Sequence, residues 1–144
     1  MRAAMEEATL AVTDGNSTFG VIVIDNASGE IICRDHDRVN EYCDPTAHGE
    51  INAIRVLCKE LDTLSLEHTT FYTTSEPCPT CLTAMIKAKV PINYYGAETE
   101  ATASLPLKAK DLAKHSKKFP IEIHPGILAG ECLEQRNKFK RRPT

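Results

Sequence analysis

No run of apolar residues in this 144-residue sequence approaches the ~20 needed to span a bilayer. The first dozen residues, Met1 to Val12, are amphipathic rather than uniformly apolar, so no secretory signal is expected and the default location is cytoplasmic. In a reducing compartment the six cysteines are read as thiols or metal ligands before disulfides. Net positive charge is also missing. The formal charge is −3 and the pI about 5.9, which gives no global attraction to a polyanion. The one basic cluster, Lys138, Lys140, Arg141 and Arg142, is read as a solvated helix end, with a phosphate-contacting tail as the alternative. Internal repeats, low-complexity tracts and an interdomain linker are absent, so residues 1–144 are expected to form a single domain. The sequence also lacks His-Glu-x-x-His, which excludes a helical protease-type metal site.

What is present is an alternation of helical and strand patterns. Ala4, Met5, Ala8, Ala11 and Val12 predict a helix over 2–14. The β-branched run 19–24 predicts a buried strand, and 30–33 a second strand paired with it as a hairpin. Residues 34–44 read as a loop. Asp44-Pro45-Thr46 predicts a helix start, and the apolar spacing carries that helix to about Leu61. Strands follow at 69–73, 92–95 and 121–123. Helices are expected from the Pro77/Pro79 pair, and over 131–139. The stretch 97–118 is weakly patterned and is read as a loop with a short helix. This order predicts an α/β fold of three α-β-α layers around a central, mostly five-stranded mixed sheet.

Two short pieces carry the chemistry: His48-Gly49-Glu50 and Pro77-Cys78-Pro79-Thr80-Cys81. Cys-x-x-Cys at a helix start places both sulfurs on one face, where the helix N-terminus favours the thiolate. By itself the pair also fits a redox couple or half a structural zinc site. With His48 it makes three ligands for one Zn2+ per chain, leaving the fourth tetrahedral position open. Glu50 is then a carboxylate free to move protons. Positions 48 and 50 point roughly 200° apart on a regular helix, so both reach the metal only where a helix begins. Gly49 lets a neighbouring backbone come close.

Asp44-Pro45-Thr46-Ala47-His48-Gly49-Glu50 and Glu76-Pro77-Cys78-Pro79-Thr80-Cys81 together resemble the zinc-dependent cytidine and deoxycytidylate deaminase superfamily. Within it, the sequence is most similar to the guanine deaminase, cytosine deaminase and tRNA adenosine deaminase branches. Phe19-Gly20, Tyr72-Thr73-Thr74 and Gly126-Ile127-Leu128 extend the likeness over nearly the whole chain. The resemblance implies a cytidine deaminase-like fold, zinc on His48, Cys78 and Cys81, and Glu50 as the catalytic proton shuttle. It also implies substrate contacts from Asp37, Phe19, Ala47 and Glu76, and a homodimer. Related enzymes close the pocket with late residues, for which Phe119 and Phe139 are the candidates.

Such relatives carry Asn eleven residues before the zinc His, where this chain has Asp37. An ionised carboxylate only accepts hydrogen bonds, so Asp37 favours a substrate edge rich in donors unless it pairs with Arg38 or faces solvent. Glu76 is read equally as a contact for substrate amino groups and as a carboxylate stabilised by its helix dipole. The expected activity is hydrolytic deamination of a free nucleobase, nucleoside or related amino-heterocycle of guanine or cytosine type. The acidic charge and Asp37 make a nucleic acid the less expected partner, with a tRNA adenosine-to-inosine deaminase as runner-up. The reading from another class is a non-catalytic zinc-binding partner subunit, with Cys43 or His36 as a fourth ligand.

Overall fold

The β-branched run forms β1 (Gly20–Asp25), antiparallel to β2 (Ile31–His36) on one side and to β3 (Thr69–Ser75) on the other. β3 then runs parallel to β4 (Ile92–Ala97), and β4 parallel to β5 (Glu122–His124). These relations come from a computed structural model that describes residues 1–100, 103 and 105–140. The result is one five-stranded mixed sheet in the order β2-β1-β3-β4-β5, as the alternating pattern predicts.

Helices cover both faces. α1 (Arg2–Thr13) and α6 (Ala129–Phe139) pack on one side and touch each other. α3 (Gly49–Glu60) and α4 (Pro79–Lys87) pack on the other, with the short α5 (Ala109–Ala113) beside β5. The core lies under α3 and α4. There Val21, Val23 and Phe71 of the sheet meet Leu57, Leu82 and Met85, each at most 2% exposed. Strand alternation gives the opposite face to α1, and Gly20 is where that contact is tightest. A Cβ there would strike the backbone of Ala4 and Ala8. With no side chain at 20, α1 lies directly on the strand, and the Gly20 N–H donates to Thr74 Oγ1.

Two local expectations are corrected. Helix α3 begins at Gly49, five residues after Asp44. The Asp44 carboxylate accepts from the Thr46 N–H and hydroxyl, at 2.8 and 2.7 Å, and its carbonyl accepts from Ala47 N–H. Asp44 therefore holds an Asx-type turn instead of capping a helix. The 34–44 stretch is also more ordered than a plain loop. β2 continues to His36, and a single turn, α2 (Val39–Tyr42), follows. Its free N–H groups are satisfied from outside: Asn16 Oδ1 accepts from Asn40 and Glu41, and Asp37 Oδ1 from Val39. Of the terminal basic cluster, Arg141 and Arg142 lie outside the described residues.

Candidate active site

The late start of α3 resolves the geometry of His48 and Glu50. His48 is the N-cap residue, with extended backbone (φ −72°, ψ 151°), and Glu50 lies in the first turn of the helix. Cys78 is likewise the N-cap of α4 (φ −66°, ψ 164°), and Pro79 occupies the first turn, where its missing N–H costs nothing. Two helix N-termini thus converge. Gly49 allows this, because a Cβ there would stand 3.1 Å from the His36 Cα and 3.0 Å from a Val21 methyl.

The three donor atoms form a near-equilateral triangle. His48 Nδ1 lies 3.5 Å from Cys78 Sγ and 3.4 Å from Cys81 Sγ, and the sulfurs are 3.5 Å apart. Tetrahedral zinc with two thiolates and an imidazole keeps such donors roughly 3.5–3.8 Å apart, so the triangle fits the ion with small adjustments. The electrostatics suit it too. The Cys78 thiol is drawn down to about 4, chiefly because the Cys81 thiol donates to it, with His48 adding to the effect. A donor deprotonated at neutral pH is the form a zinc ligand requires. Among the described residues no fourth His, Cys, Asp or Glu joins this group. Cys43 is exposed, with Sγ near the Asn40 carbonyl, and His36 is buried against Glu7. The four-ligand arrangement expected of a structural zinc is therefore not formed.

Glu50 stands beside the triangle without belonging to it. Burial pushes its carboxyl up from the ordinary carboxylate range. Together with His48 and Cys78 it lines a cavity of about 560 Å³, inside the range that small-molecule sites occupy. Phe19, 37% exposed, forms part of the wall beside Gly20.

Asp37 also faces this cavity and is only 4% exposed. It does not pair with Arg38, whose guanidinium bonds Asp35 and Glu41, each at 2.9 Å. Backbone N–H groups of Ser17 and Val39 donate to Asp37 Oδ1 at 3.3 and 3.4 Å. Burial is the largest influence on its carboxyl and raises it. Glu76 borders the cavity as well, but its carboxylate is taken up by the chain that follows. Oε1 accepts from Ala109 N–H at 2.8 Å, and Oε2 from Thr99 N–H and the Lys108 ammonium at 2.9 and 3.2 Å. This ties the weakly patterned stretch to the site and leaves little of Glu76 for a substrate. Ala47 is fully buried and off the cavity wall. Its carbonyl accepts from Arg38 N–H and the Asn52 amide.

The far wall comes from the end of α6, where Arg136 and Phe139 lie one turn apart and Lys140 is the C-cap residue. Phe139 thus lies where a pocket-closing residue is expected, whereas Phe119 packs under Lys89 and Lys118 elsewhere. The sequence reading passed over Arg136, although its i, i+3, i+4 spacing with Phe139 and Lys140 is the signal that finds it. Asn16, which holds α2 and borders the cavity, has no such signal.

Comparison with known proteins agrees with this geometry. The model of the cytidine and deoxycytidylate deaminase zinc-binding region matches residues 1–97. The chain is 31% identical to the tRNA-specific adenosine deaminase of Haemophilus influenzae, over 99% of this chain and 83% of that one. It is 32% identical to the chloroplastic tRNA(adenine(34)) deaminase of Arabidopsis thaliana over 96% of its own length, but spans only 12% of that protein. Among solved structures, one from a study of A-to-I editing by tRNA:A34 deaminases at the wobble position superposes with a TM-score of 0.83. It covers 94% of this chain and 96% of that one at 27% identity.

These matches overturn two expectations: a free base or nucleoside as substrate ahead of tRNA adenosine, and a nucleic acid as the less expected partner. Net charge misleads here because it sums over the whole surface, whereas a polyanion needs cations only where it lies. Arg136 and Lys140 stand at the cavity, and no sum over the chain reveals that placement. Among the described residues no helix is long and apolar enough to cross a membrane. With the motif, the fold and the ligand triangle in agreement, this chain belongs to the cytidine and deoxycytidylate deaminase zinc-binding family, whose cofactor is zinc.

Proposed function

We propose that this chain is a hydrolytic deaminase that converts an adenosine of tRNA to inosine and releases ammonia. The observation that carries the reading is the likeness along 99% of the chain to a tRNA-specific adenosine deaminase, together with the Glu50-bearing cavity. His48, Cys78 and Cys81 hold the zinc. Bound there, zinc supplies an acidified water at neutral pH. Glu50 would carry the two protons of the attacking water in turn, the first to a ring nitrogen of the base and the second to the departing amine, so one carboxylate serves as base and then as acid. Burial raises its carboxyl, the direction that makes the carboxylate a stronger base.

A base entering this cavity leaves its duplex or stacked loop, and the cavity has room for a base with its ribose. Lys140, 57% exposed and paired with Glu100, is placed to exchange that partner for a phosphate. The test is inosine formation in a tRNA anticodon stem-loop, compared with ammonia release from free adenosine. The stem-loop is expected to turn over at least a hundredfold faster at equal concentration. Its KM is expected to rise about tenfold or more between 50 and 200 mM salt, as a few released phosphate counterions require. A rate that is flat in salt, or equal on both substrates, removes tRNA from the reading.

Asp37 accepts a substrate N–H or O–H in this reading. A hydrogen bond to a charged group contributes about 1.5–3 kcal/mol, so Asp37→Asn is expected to lower kcat/KM tenfold or more with zinc content unchanged. Unaltered relative rates over a panel of bases, nucleosides and stem-loop would take Asp37 out of substrate recognition.

A further inference from the structure

A second group of ligand-type side chains sits at the end of α1, where β2 runs into α2. Asp14, His36 and Glu41 bring one imidazole nitrogen and two carboxylate oxygens within 4.8 Å of one another. None of them belongs to the zinc triangle or to the steps assigned to Glu50.

The histidine is what sets this cluster apart from an ordinary acidic surface. The His36 side chain is 5% exposed. Its Nδ1 lies 3.0 Å from the buried carboxylate of Glu7. A carboxylate accepts from the Nδ1 side of the ring, which leaves Nε2 as the nitrogen facing away from Glu7. Nε2 is buried and has no hydrogen-bond partner, although Asp14 Oδ2 stands 3.5 Å away. A buried ring nitrogen left unsatisfied costs free energy unless something fills the place in front of it. Carboxylate to Nδ1–H, with Nε2 directed at two further carboxylates, is the arrangement by which proteins orient a metal-binding histidine.

The surrounding charge points the same way. Glu7 and Asp14 flank the His36 ring and Glu41 completes the group, while Arg38, the guanidinium nearby, is shared between Glu41 and Asp35. Glu6 is occupied by Arg34. Three carboxylates against a guanidinium that Asp35 also shares leave an excess of negative charge beside the unpartnered Nε2. Asp14 and Glu41 are exposed, so their side chains have room to move towards direct ligation.

We propose that Asp14, His36 and Glu41 form a second divalent-cation site, distinct from the zinc centre, with nitrogen and oxygen ligands suited to a Mn2+-type ion. Its position gives it a consequence for the cavity. The His36 backbone abuts Gly49 at the start of α3, and its carbonyl accepts from the Asn52 amide. Asp37 and Asn40, on either side of the start of α2, line the cavity. A cation joining Asp14 to His36 and Glu41 fixes that segment against the end of α1. The proposal stands independently of which base the enzyme deaminates.

The test is titration of zinc-loaded protein with Mn2+, following loss of the free-ion electron paramagnetic resonance signal and measuring zinc alongside. Wild type is expected to bind one Mn2+ per chain while keeping its zinc. Asp14→Asn and Glu41→Gln are each expected to weaken that binding at least tenfold. Both side chains are exposed, so neither variant threatens folding as His36→Gln does. Asp111→Asn, which alters an exposed carboxylate elsewhere, is expected to bind as wild type does. No Mn2+ bound at millimolar metal, binding that displaces zinc, or equal binding in all four proteins would overturn the proposal.

Discussion

Glu50→Gln is expected to lower turnover by about 10²–10⁴-fold and to leave zinc at one per chain. The magnitude follows from losing a positioned acid–base group, which contributes about 10²–10⁴-fold. The retained zinc follows from geometry, since the Glu50 carboxylate lies outside the His48, Cys78 and Cys81 group. Gln keeps the shape and the half-buried position but cannot accept a proton. Turnover by inosine formation and zinc by atomic emission, on the same preparation, test both halves. Retained turnover would remove Glu50 from the proton path. Lost zinc would make Glu50 part of the metal site.

The second large effect is at Cys81. Cys81→Ala is expected to reduce zinc well below one per chain, bring activity to background and lower Tm by several degrees. Removing a thiolate from a three-ligand set leaves two protein donors, and binding energy that favours the folded state goes with it. Cys33→Ala is the matched control. Cys33 is also buried, and burial pushes its thiol up to about 12, so it is an inert apolar group in the core. Its loss costs packing but leaves zinc and the site intact. If both variants kept zinc, the ligand set would be wrong. If both lost it, the effect would be one of folding rather than ligation.

The sequence was most legible where one residue type answers one demand. The β-branched run from Val21 to Ile24 can hardly be anything but a strand buried on both faces, and β1 is central in the first half of the sheet. The Pro-flanked cysteine pair announces a rigid helix start, and α4 begins at Pro79. Legibility failed where side chains act at a distance. Asp44 has the identity of a helix cap, but the neighbouring Thr46 hydroxyl and N–H claim it for a turn. α2 is held by Asn16, more than twenty positions earlier, a contact that no local window contains. Glu76 has the place of a substrate ligand and is instead consumed by Thr99, Lys108 and Ala109. The partner expectation leaned on charge read as a total, which says nothing of where cations such as Arg136 and Lys140 stand.

The two N-cap positions carry a consequence for the chain as a polymer. Neither His48 nor Cys78 makes the side-chain bond that an N-cap residue ordinarily gives its helix. Both point instead at a common centre, from positions 30 residues apart. A metal held between them acts as a removable cross-link, closing a loop that contains α3, β3 and the turn into α4. A permanent bridge over a loop of that length lowers the entropy of the unfolded chain enough to contribute about 3–4 kcal/mol. A zinc centre there would also clasp the start of α3 to the start of α4, so metal removal would be felt in the stability of the fold as well as in the chemistry.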